Sequence, residues 1–247
     1  MRIVLLMVAA VCWLCPAASA ESIGVLVLAH GGSEEWNRTV HQTVEAAKLD
    51  APTAVVFGMG MHPGEVATLR EAASHLQDHG IERLIVVPLL ISSHSEVYRQ
   101  FEYLFGLREQ AAWPEAGTPV ALRVPVVMAP ALDDDAVLAE ILLDRAKALS
   151  KQPEQETVIL VAHGPNEDRD NQRWLENMQQ ASEAIKQQLG FRDVVTRTMR
   201  DDAEAPVLAQ ATAELRKTVQ AADEQGDALV VPVLMARGGI EYEVENS

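Results

Sequence analysis

Cysteine is nearly absent from this chain, and the two that are present, Cys12 and Cys15, both lie within the first twenty residues. Those residues have the layout of a secretory signal peptide, with Arg2 as a positive n-region, an apolar stretch, and a small-residue cleavage site ending at Ala20. Cleavage there leaves a chain without thiols. Such a chain forms no disulfide, cysteine zinc site or iron–sulfur cluster, so any metal must be held by histidine, carboxylate or backbone oxygen.

Long hydrophobic runs are also missing. The apolar stretch of the predicted signal peptide is too short to span a bilayer of about 30 Å as a helix, which favours a cleaved signal over the alternative, an uncleaved anchor. After residue 20 no segment approaches about 18 consecutive apolar residues. We therefore expect an exported protein, periplasmic or secreted, with no membrane span after cleavage.

Basic residues are scarce compared with acidic ones. The chain has 20 Lys and Arg against 36 Asp and Glu, which gives a formal net charge of −16. A protein with this charge repels polyanions, so general binding to nucleic acid or to an acidic membrane surface is not expected.

Several catalytic motifs are absent as well. There is no G-x-S-x-G nucleophile elbow and no P-loop, and the glycines of segment 58–64 have the wrong spacing for a dinucleotide loop. Ala29 and Ala162 stand where the phosphate-binding arginine of a histidine phosphatase would precede its histidine. These absences disfavour serine-hydrolase, phosphatase and nucleotide-dependent chemistry.

The pattern that is present occurs twice. An apolar run ends at His30 followed by glycine, and a second apolar run ends in the same way at His163. A repeat separated by more than about 100 residues indicates a duplicated domain rather than a solenoid. The polar, proline-containing segment 152–156 divides the chain into an N-terminal half, 21–151, and a C-terminal half, 157–247.

Strands and helices alternate through both halves, and the strands are apolar on both faces. This pattern predicts an α/β protein in which each half is a parallel, doubly wound sheet with helices on both faces. Few residues follow the third strand of the second half, so we expect its closing helix to be short or absent and its sheet incomplete. Predicted strands span 22–30, 53–59, 83–91, 120–128, 157–163, 193–199 and 227–236, and predicted helices include 64–80, 95–107, 133–151, 169–190 and 205–226.

His30 and His163 end predicted strands, and His94 comes shortly after one. Ligands of doubly wound sheets bind at the carboxyl ends of the strands, and the first and third strands are commonly neighbours. We therefore expect the imidazoles of His30 and His94 to converge at one rim. Neutral imidazole binds divalent Co, Ni, Zn and Fe, and it also transfers protons near neutral pH. Glu96 is expected to add an oxygen ligand or to orient a ring.

The segments VLAHGG (27–32) and IVVPLLISSHSEV (85–97) resemble those of the sirohydrochlorin cobaltochelatases, class II tetrapyrrole chelatases related to ferrochelatase. The resemblance covers nearly all of residues 22–240. It implies two tandem flavodoxin-like halves that face each other across a tetrapyrrole cleft, and a reaction without ATP or another nucleotide. The divalent metal is then a substrate, with Co²⁺ expected first and Ni²⁺ or Fe²⁺ as alternatives.

The resemblance further implies that His30 and His94 hold the metal and accept the pyrrole protons, with Glu96 as a third metal ligand. Relative to Pro88, His94 comes two positions earlier than the second family histidine, and Glu96 stands near the place of that histidine. The ligand set therefore stays open at this point. Secondary candidates are His163, His62, Glu241 and Glu243.

Sirohydrochlorin is a polycarboxylate, whereas this chain is strongly acidic. Binding it requires a local basic rim, because arginine pairs with carboxylates through two parallel hydrogen bonds. Arginines that instead pair with neighbouring acids would disfavour such a substrate. The predicted rim consists of Arg99, Arg108, Arg38 and Arg173.

The hypothesis from sequence is an exported lyase of tetrapyrrole and cobalamin biosynthesis that inserts Co²⁺ into a sirohydrochlorin-type macrocycle. The main alternative is an exported metal- or tetrapyrrole-binding protein that delivers its ligand without turnover. Export favours this alternative, because such macrocycles are expected to be assembled in the cytoplasm. A hydrolase on the same fold is a third, weaker hypothesis, and the oligomeric state is left open.

Overall fold

The computed structural model describes residues 21–235. The predicted signal peptide and the candidate ligands Glu241 and Glu243 lie outside the described residues. The first half contains β1 (Ile23–Ala29), α1 (Glu34–Ala46), β2 (Thr53–Phe57), α2 (Pro63–Asp78), β3 (Arg83–Leu89), α3 (Glu96–Leu104), β4 (Val126–Met128) and α4 (Ala136–Leu149). The second half contains β5 (Glu156–Ala162), α5 (Asp168–Leu189), β6 (Asp193–Thr198), α6 (Ala205–Asp223) and β7 (Asp227–Val233).

The strands form two parallel sheets, as the sequence predicts. The first has the order β2-β1-β3-β4 and the second the order β6-β5-β7. Strands β1 and β5, each of which ends just before a repeated His-Gly pair, therefore occupy equivalent inner positions. Within residues 21–235 the second sheet has no counterpart of β4, so the expectation of a shorter second half is confirmed.

The second sheet is covered by helices on both faces. Successive side chains of β5 point to opposite faces. Leu160 packs with residues of α4 and α5, whereas Ile159 packs with residues of α6. Every residue of β5 is buried, and each fully buried leucine or isoleucine contributes about 1.5–3 kcal/mol. This two-sided burial explains why the strand reads as an unbroken apolar run.

Strand β4 is much shorter than predicted. The sequence indicates a strand over 120–128, but only Val126–Met128 pairs with β3. Residues 120–126 alternate between inward and outward positions, and Val120, Leu122 and Val124 pack into the first core. Because Val126 pairs with Leu84, at the start of β3, the residues before Val126 have no neighbouring strand with which to pair. The apolar alternation therefore predicts correctly which face of the segment is buried, but it does not predict which residues form hydrogen bonds with β3.

Helix α4 precedes the predicted boundary at 152–156, yet it packs on the second sheet. Leu138, Leu142 and Ala146 belong to the same buried cluster as β5 and α5. The guanidinium of Arg145 donates hydrogen bonds to the carbonyl oxygens of Pro232 and Leu234, at 2.8 and 3.1 Å. The division of the chain at 152–156 stays a prediction, while α4 joins the two halves physically.

No helix between residues 21 and 235 is both long enough and apolar enough to cross a bilayer.

Candidate metal site and the cleft between the halves

The carboxyl ends of β1 and β3 lie side by side. Ala29, the last residue of β1, pairs with Leu89, the last residue of β3. His30 follows Ala29 directly and is exposed, and His94 follows β3 in a short loop and is half-buried. Parallel register alone thus brings two distant histidines to the same edge of the first sheet.

His30 is held by its own loop. Its Nδ1 lies 2.5 Å from the carbonyl oxygen of Gly31, so in the neutral ring Nδ1 carries the proton and Nε2 carries the lone pair. The indole Nε1 of Trp36 donates a hydrogen bond of 2.8 Å to the carbonyl oxygen of His30. Ser33 caps α1 by accepting a hydrogen bond from the backbone N–H of Trp36 at 3.2 Å, as its position predicts. Imidazole binds a metal through its unprotonated nitrogen, which is Nε2 in this tautomer of His30.

The loop that carries His94 is anchored by Asp133. The carboxylate of Asp133 accepts hydrogen bonds from the backbone N–H and the hydroxyl of Ser93, at 2.8 and 2.7 Å. It also accepts a bond of 3.2 Å from the amide of Asn177, on α5 of the second half. Asp133, Asp134 and Asp135 stand just before α4, where aspartates commonly cap a helix. Asp135 does cap α4, but Asp133 instead fixes the position of the candidate ligand loop.

Tyr98 completes this support. Its hydroxyl donates a hydrogen bond of 3.1 Å to the carbonyl oxygen of Ala129. Burial raises the pKa of Tyr98 above its usual value, and the hydrogen bond with Ser93 lowers it in part. The phenol therefore stays protonated and acts as a structural donor.

Glu96 begins α3 and forms a contact between the halves. Its Oε1 accepts a hydrogen bond of 2.9 Å from the backbone N–H of Asn166 and lies 3.3 Å from the guanidinium of Arg99. That oxygen is therefore already used. Metal ligation by Glu96 would have to use its other oxygen, Oε2.

His62 follows β2, on the other side of β1. It is the N-cap residue of α2 and is exposed, and its side chain does not cap the helix. The sheet order β2-β1-β3 means that three adjacent strand ends are followed by His62, His30 and His94. These three histidines do not converge into one group of ligands: within residues 21–235, three metal-ligating side chains come together only in the second half.

That convergent group consists of His163, Asp201 and Asp202. The three offer ligand atoms that all lie within 4.8 Å of one another. The sequence singles out His163 but misses both aspartates. A signal was available, because they follow the predicted strand 193–199 at its carboxyl end.

An apolar cavity of about 230 Å³ opens between the two halves. Residues of α1 and α4 line it together with residues at the ends of β3 and β7, among them Trp36, Leu89, Ile141 and Leu234. Trp36 links the cavity to His30. Sites that enclose a small molecule span about 300–1,000 Å³, so this cavity is smaller than a typical enclosed site.

Two of the four predicted rim arginines are taken by local acids. Arg99 forms an ion pair with Asp170 as well as with Glu96, and Arg108 lies 2.9 Å from Glu102. This pairing disfavours the carboxylate-binding role expected of Arg99 and Arg108. Arg38 and Arg173 are exposed and have no ion-pair partner among residues 21–235.

Comparison with known proteins gives one family. The family model for CbiX matches residues 24–149. A sirohydrochlorin cobaltochelatase from Methanococcoides burtonii is 22% identical over 127 residues, which are 51% of this chain and 96% of that protein. One half of this chain is thus comparable in length to that whole protein.

Solved structures give the fold. SirB from Bacillus subtilis, in a structure with Fe³⁺, matches with a TM-score of 0.62 and 17% identity over 91% of this chain and 81% of that chain. A multi-domain protein from Deinococcus radiodurans with structural similarity to chelatases matches with a TM-score of 0.49 and 15% identity, over 88% of this chain and 52% of that chain. The match to SirB confirms the predicted chelatase-like α/β architecture.

Proposed function

The chain belongs to the CbiX family of class II chelatases, and from that premise we propose that it inserts Co²⁺ into a sirohydrochlorin-type tetrapyrrole without ATP. The family match over residues 24–149 carries this proposal, because that segment includes both His30 and His94. The relative from Methanococcoides burtonii supplies the substrate class, and Ni²⁺ and Fe²⁺ are the alternative metals.

His30 and His94 would receive the metal and the protons. Insertion of a divalent cation releases two pyrrole N–H protons, so charge is conserved and a neutral imidazole suffices as the base. The lone pair on Nε2 of His30 is suited to either task, because Nδ1 is held at the carbonyl oxygen of Gly31. Positioning the two imidazoles at adjacent strand ends would bring the metal and the proton acceptors to the same edge of the macrocycle.

The apolar cavity would receive the macrocycle. Trp36, Leu89 and Ile141 offer an apolar surface for a tetrapyrrole edge, and the two halves would separate to admit the remainder. Arg38 and Arg173 would meet substrate carboxylates, since Arg99 and Arg108 are paired with acids of the chain.

The test is an absorbance measurement on purified protein with sirohydrochlorin and Co²⁺. We expect metal insertion faster than the spontaneous reaction, and a strong loss of rate in His30→Ala. Insertion by His30→Ala at the unmodified rate would refute the site, and insertion at the spontaneous rate by the unmodified protein would refute the enzyme.

The signal-peptide-like sequence of residues 1–20 favours the alternative function. We propose that residues 1–20 direct the chain to the periplasm or outside the cell, where a carrier of metal or tetrapyrrole would be useful without turnover. Tight binding of Co²⁺ or sirohydrochlorin without accelerated insertion would support the carrier. Fractionation of the source cells, with detection of a chain starting at Glu21, tests the export itself.

A further inference from the structure

The cluster at the carboxyl edge of the second sheet joins two strand ends. His163 follows β5, and Asp201 and Asp202 follow β6, the neighbour of β5. The Nε2 atom of His163 lies 3.2 Å from Oδ1 of Asp201 and 3.2 Å from Oδ2 of Asp202. The backbone N–H of Arg200 donates a hydrogen bond of 2.6 Å to the carbonyl oxygen of His163, which holds the two loops together.

The orientation of the ring leaves Nε2 as the ligand atom. Nδ1 of His163 lies 2.7 Å from the carbonyl oxygen of Gly164, so Nδ1 carries the proton in the neutral ring. A histidine that binds metal through one nitrogen commonly donates its other N–H to a carbonyl oxygen in this way. The lone pair of Nε2 then faces two carboxylate oxygens, an arrangement that a proton on Nε2 or a metal ion among the three atoms would stabilise.

The distances fit a metal better than a proton. Ligands at about 2.0–2.2 Å from one ion are separated by about 2.8–3.1 Å for octahedral angles and about 3.3–3.6 Å for tetrahedral angles. Hydrogen bonds between a charged nitrogen and a carboxylate are shorter, about 2.7–2.9 Å. Oδ1 of Asp201 is buried and accepts no hydrogen bond, and it faces Nε2 of His163 at 3.2 Å. Buried carboxylate oxygens are otherwise paired or bound to a metal.

Arg200, the residue before Asp201, does not supply the missing charge. The guanidinium of Arg200 lies 2.8 Å from Asp168 and donates to the carbonyl oxygens of Pro165 and Asn166. Its donors are directed to the loop after β5 rather than to the cluster. Asp202 is largely exposed, with 71% of its side chain accessible, which leaves a route for an ion from solvent.

The cluster is not a copy of the first-half site. Ala29 pairs with Phe57 in the first sheet, and Ala162 pairs with Thr198 in the second. Counting onward from these equivalent pairs places Asp201 and Asp202 where the first half has Gly60 and Met61. The second half therefore has carboxylates of its own beside the repeated histidine.

We propose that His163, Asp201 and Asp202 form a second divalent-cation site, separate from His30 and His94. One imidazole and two carboxylates neutralise a divalent ion and suit Co²⁺, Zn²⁺ or Fe²⁺. The site also adjoins the cleft, since the loop that begins at His163 reaches Glu96 through the backbone N–H of Asn166. It binds the free ion and requires neither the macrocycle nor turnover.

Equilibrium dialysis of the full chain against Co²⁺ alone tests the site. The starting protein is the His30→Ala/His94→Ala variant, which removes the first-half histidines so that only the second site is counted. We expect this protein to retain one bound Co²⁺ per chain. Adding Asp201→Asn and Asp202→Asn should weaken that binding by more than about 100-fold, beyond the 10–100-fold typical of losing an outer partner of a ligand.

The matched control is Asp223→Asn in the same background, an exposed carboxylate of α6 in the same half. It should leave Co²⁺ binding unchanged. Absence of bound Co²⁺ in the His30→Ala/His94→Ala protein, or equal binding after the two Asn substitutions, would overturn the proposal. If the Asn variant fails to fold, His163→Gln replaces it, and a metal-free melting curve verifies its fold. Because no tetrapyrrole is present, these outcomes are independent of chelatase activity.

Discussion

Arg99 of α3 and Asp170 of α5 form an ion pair that joins the two halves beside the loop of His94. Both side chains are largely buried, with 21% and 17% of their surface accessible. Arg99 also contacts Glu96, whose carboxylate accepts the backbone N–H of Asn166 in the second half. The walls of the cleft are thus connected by charged groups next to a candidate metal ligand, where a change in their spacing would act directly on the site.

Removing this ion pair should destabilise the protein. Hydrogen bonds to charged groups contribute about 1.5–3 kcal/mol, and loss of one partner leaves the other partly buried and unpaired. We expect Asp170→Asn to lower the free energy of unfolding by about that amount in urea denaturation. A double-mutant cycle with Arg99→Gln should show a favourable coupling energy between the two side chains. Additive effects of the two substitutions would mean that the pair contributes nothing.

Substitution of His94 should reduce metal insertion without unfolding the protein. Loss of a positioned proton acceptor typically costs about 10²–10⁴-fold in rate. We expect His94→Ala to lower kcat/KM for Co²⁺ insertion into sirohydrochlorin by a factor in that range. His75→Ala is the matched control, because His75 is an exposed histidine in the last turn of α2, the helix that leads into the opposite end of β3. Equal losses in both variants would argue against a specific role for His94.

Gly164 should tolerate no side chain. Its φ is +77°, and a Cβ atom would lie 2.5 Å from Cβ of Thr198. Left-handed backbone costs about 1–2 kcal/mol and overpacking about 1–3 kcal/mol, so Gly164→Ala should lower the free energy of unfolding by about 2–5 kcal/mol. Gly190 has a φ of +68° but open space around its Cβ position. Gly190→Ala should therefore lower the free energy of unfolding only by the backbone contribution of about 1–2 kcal/mol. Similar urea midpoints for the two variants would contradict the clash.

Glu156 should make stability depend on pH. Burial alone would raise the pKa of Glu156, but donors at Ser150, Gln152 and Lys151 lower it below its usual value. Three hydrogen bonds of 2.5, 2.7 and 2.8 Å reach its carboxylate. Its stabilisation is therefore complete above the unfolded-state pKa, near 4.5, and is lost as the pH falls through the lower folded-state pKa.

Glu156→Gln provides the corresponding measurement. At neutral pH we expect this variant to be less stable by about 1–3 kcal/mol, because a neutral amide cannot accept all three donors. Below pH 4.5 the difference from the unmodified protein should shrink, since Glu156 becomes protonated first in the unfolded chain and, at lower pH, in the folded protein as well. Urea denaturation at several pH values checks both points. A difference that stays constant across that range would show that charge is not the cause.

The elements predicted most successfully are those whose residues are apolar on both faces. The runs that end at His30 and His163 indicate inner parallel strands, and both occupy inner positions. Prediction is less successful where the length of a strand depends on where its neighbouring strand begins. Residues 120–125 have the composition and alternation of a strand, but they extend past the start of β3 and remain outside the ladder. Periodicity reports which face is buried, whereas pairing depends on where the neighbouring strand begins.

The candidate sites show the same difference between what the local sequence predicts and what the tertiary structure decides. The sequence by itself determined that histidines follow strand ends, because apolar runs and glycines fix the local geometry around His30 and His163. Only the tertiary structure decided which other groups meet them. Asp201 joins His163 because β6 lies beside β5, and Arg99 turns towards Asp170 because α3 and α5 face each other across the halves. Sheet order and helix packing bring together side chains that are far apart in sequence. The local pattern of residues predicts neither the sheet order nor the helix packing.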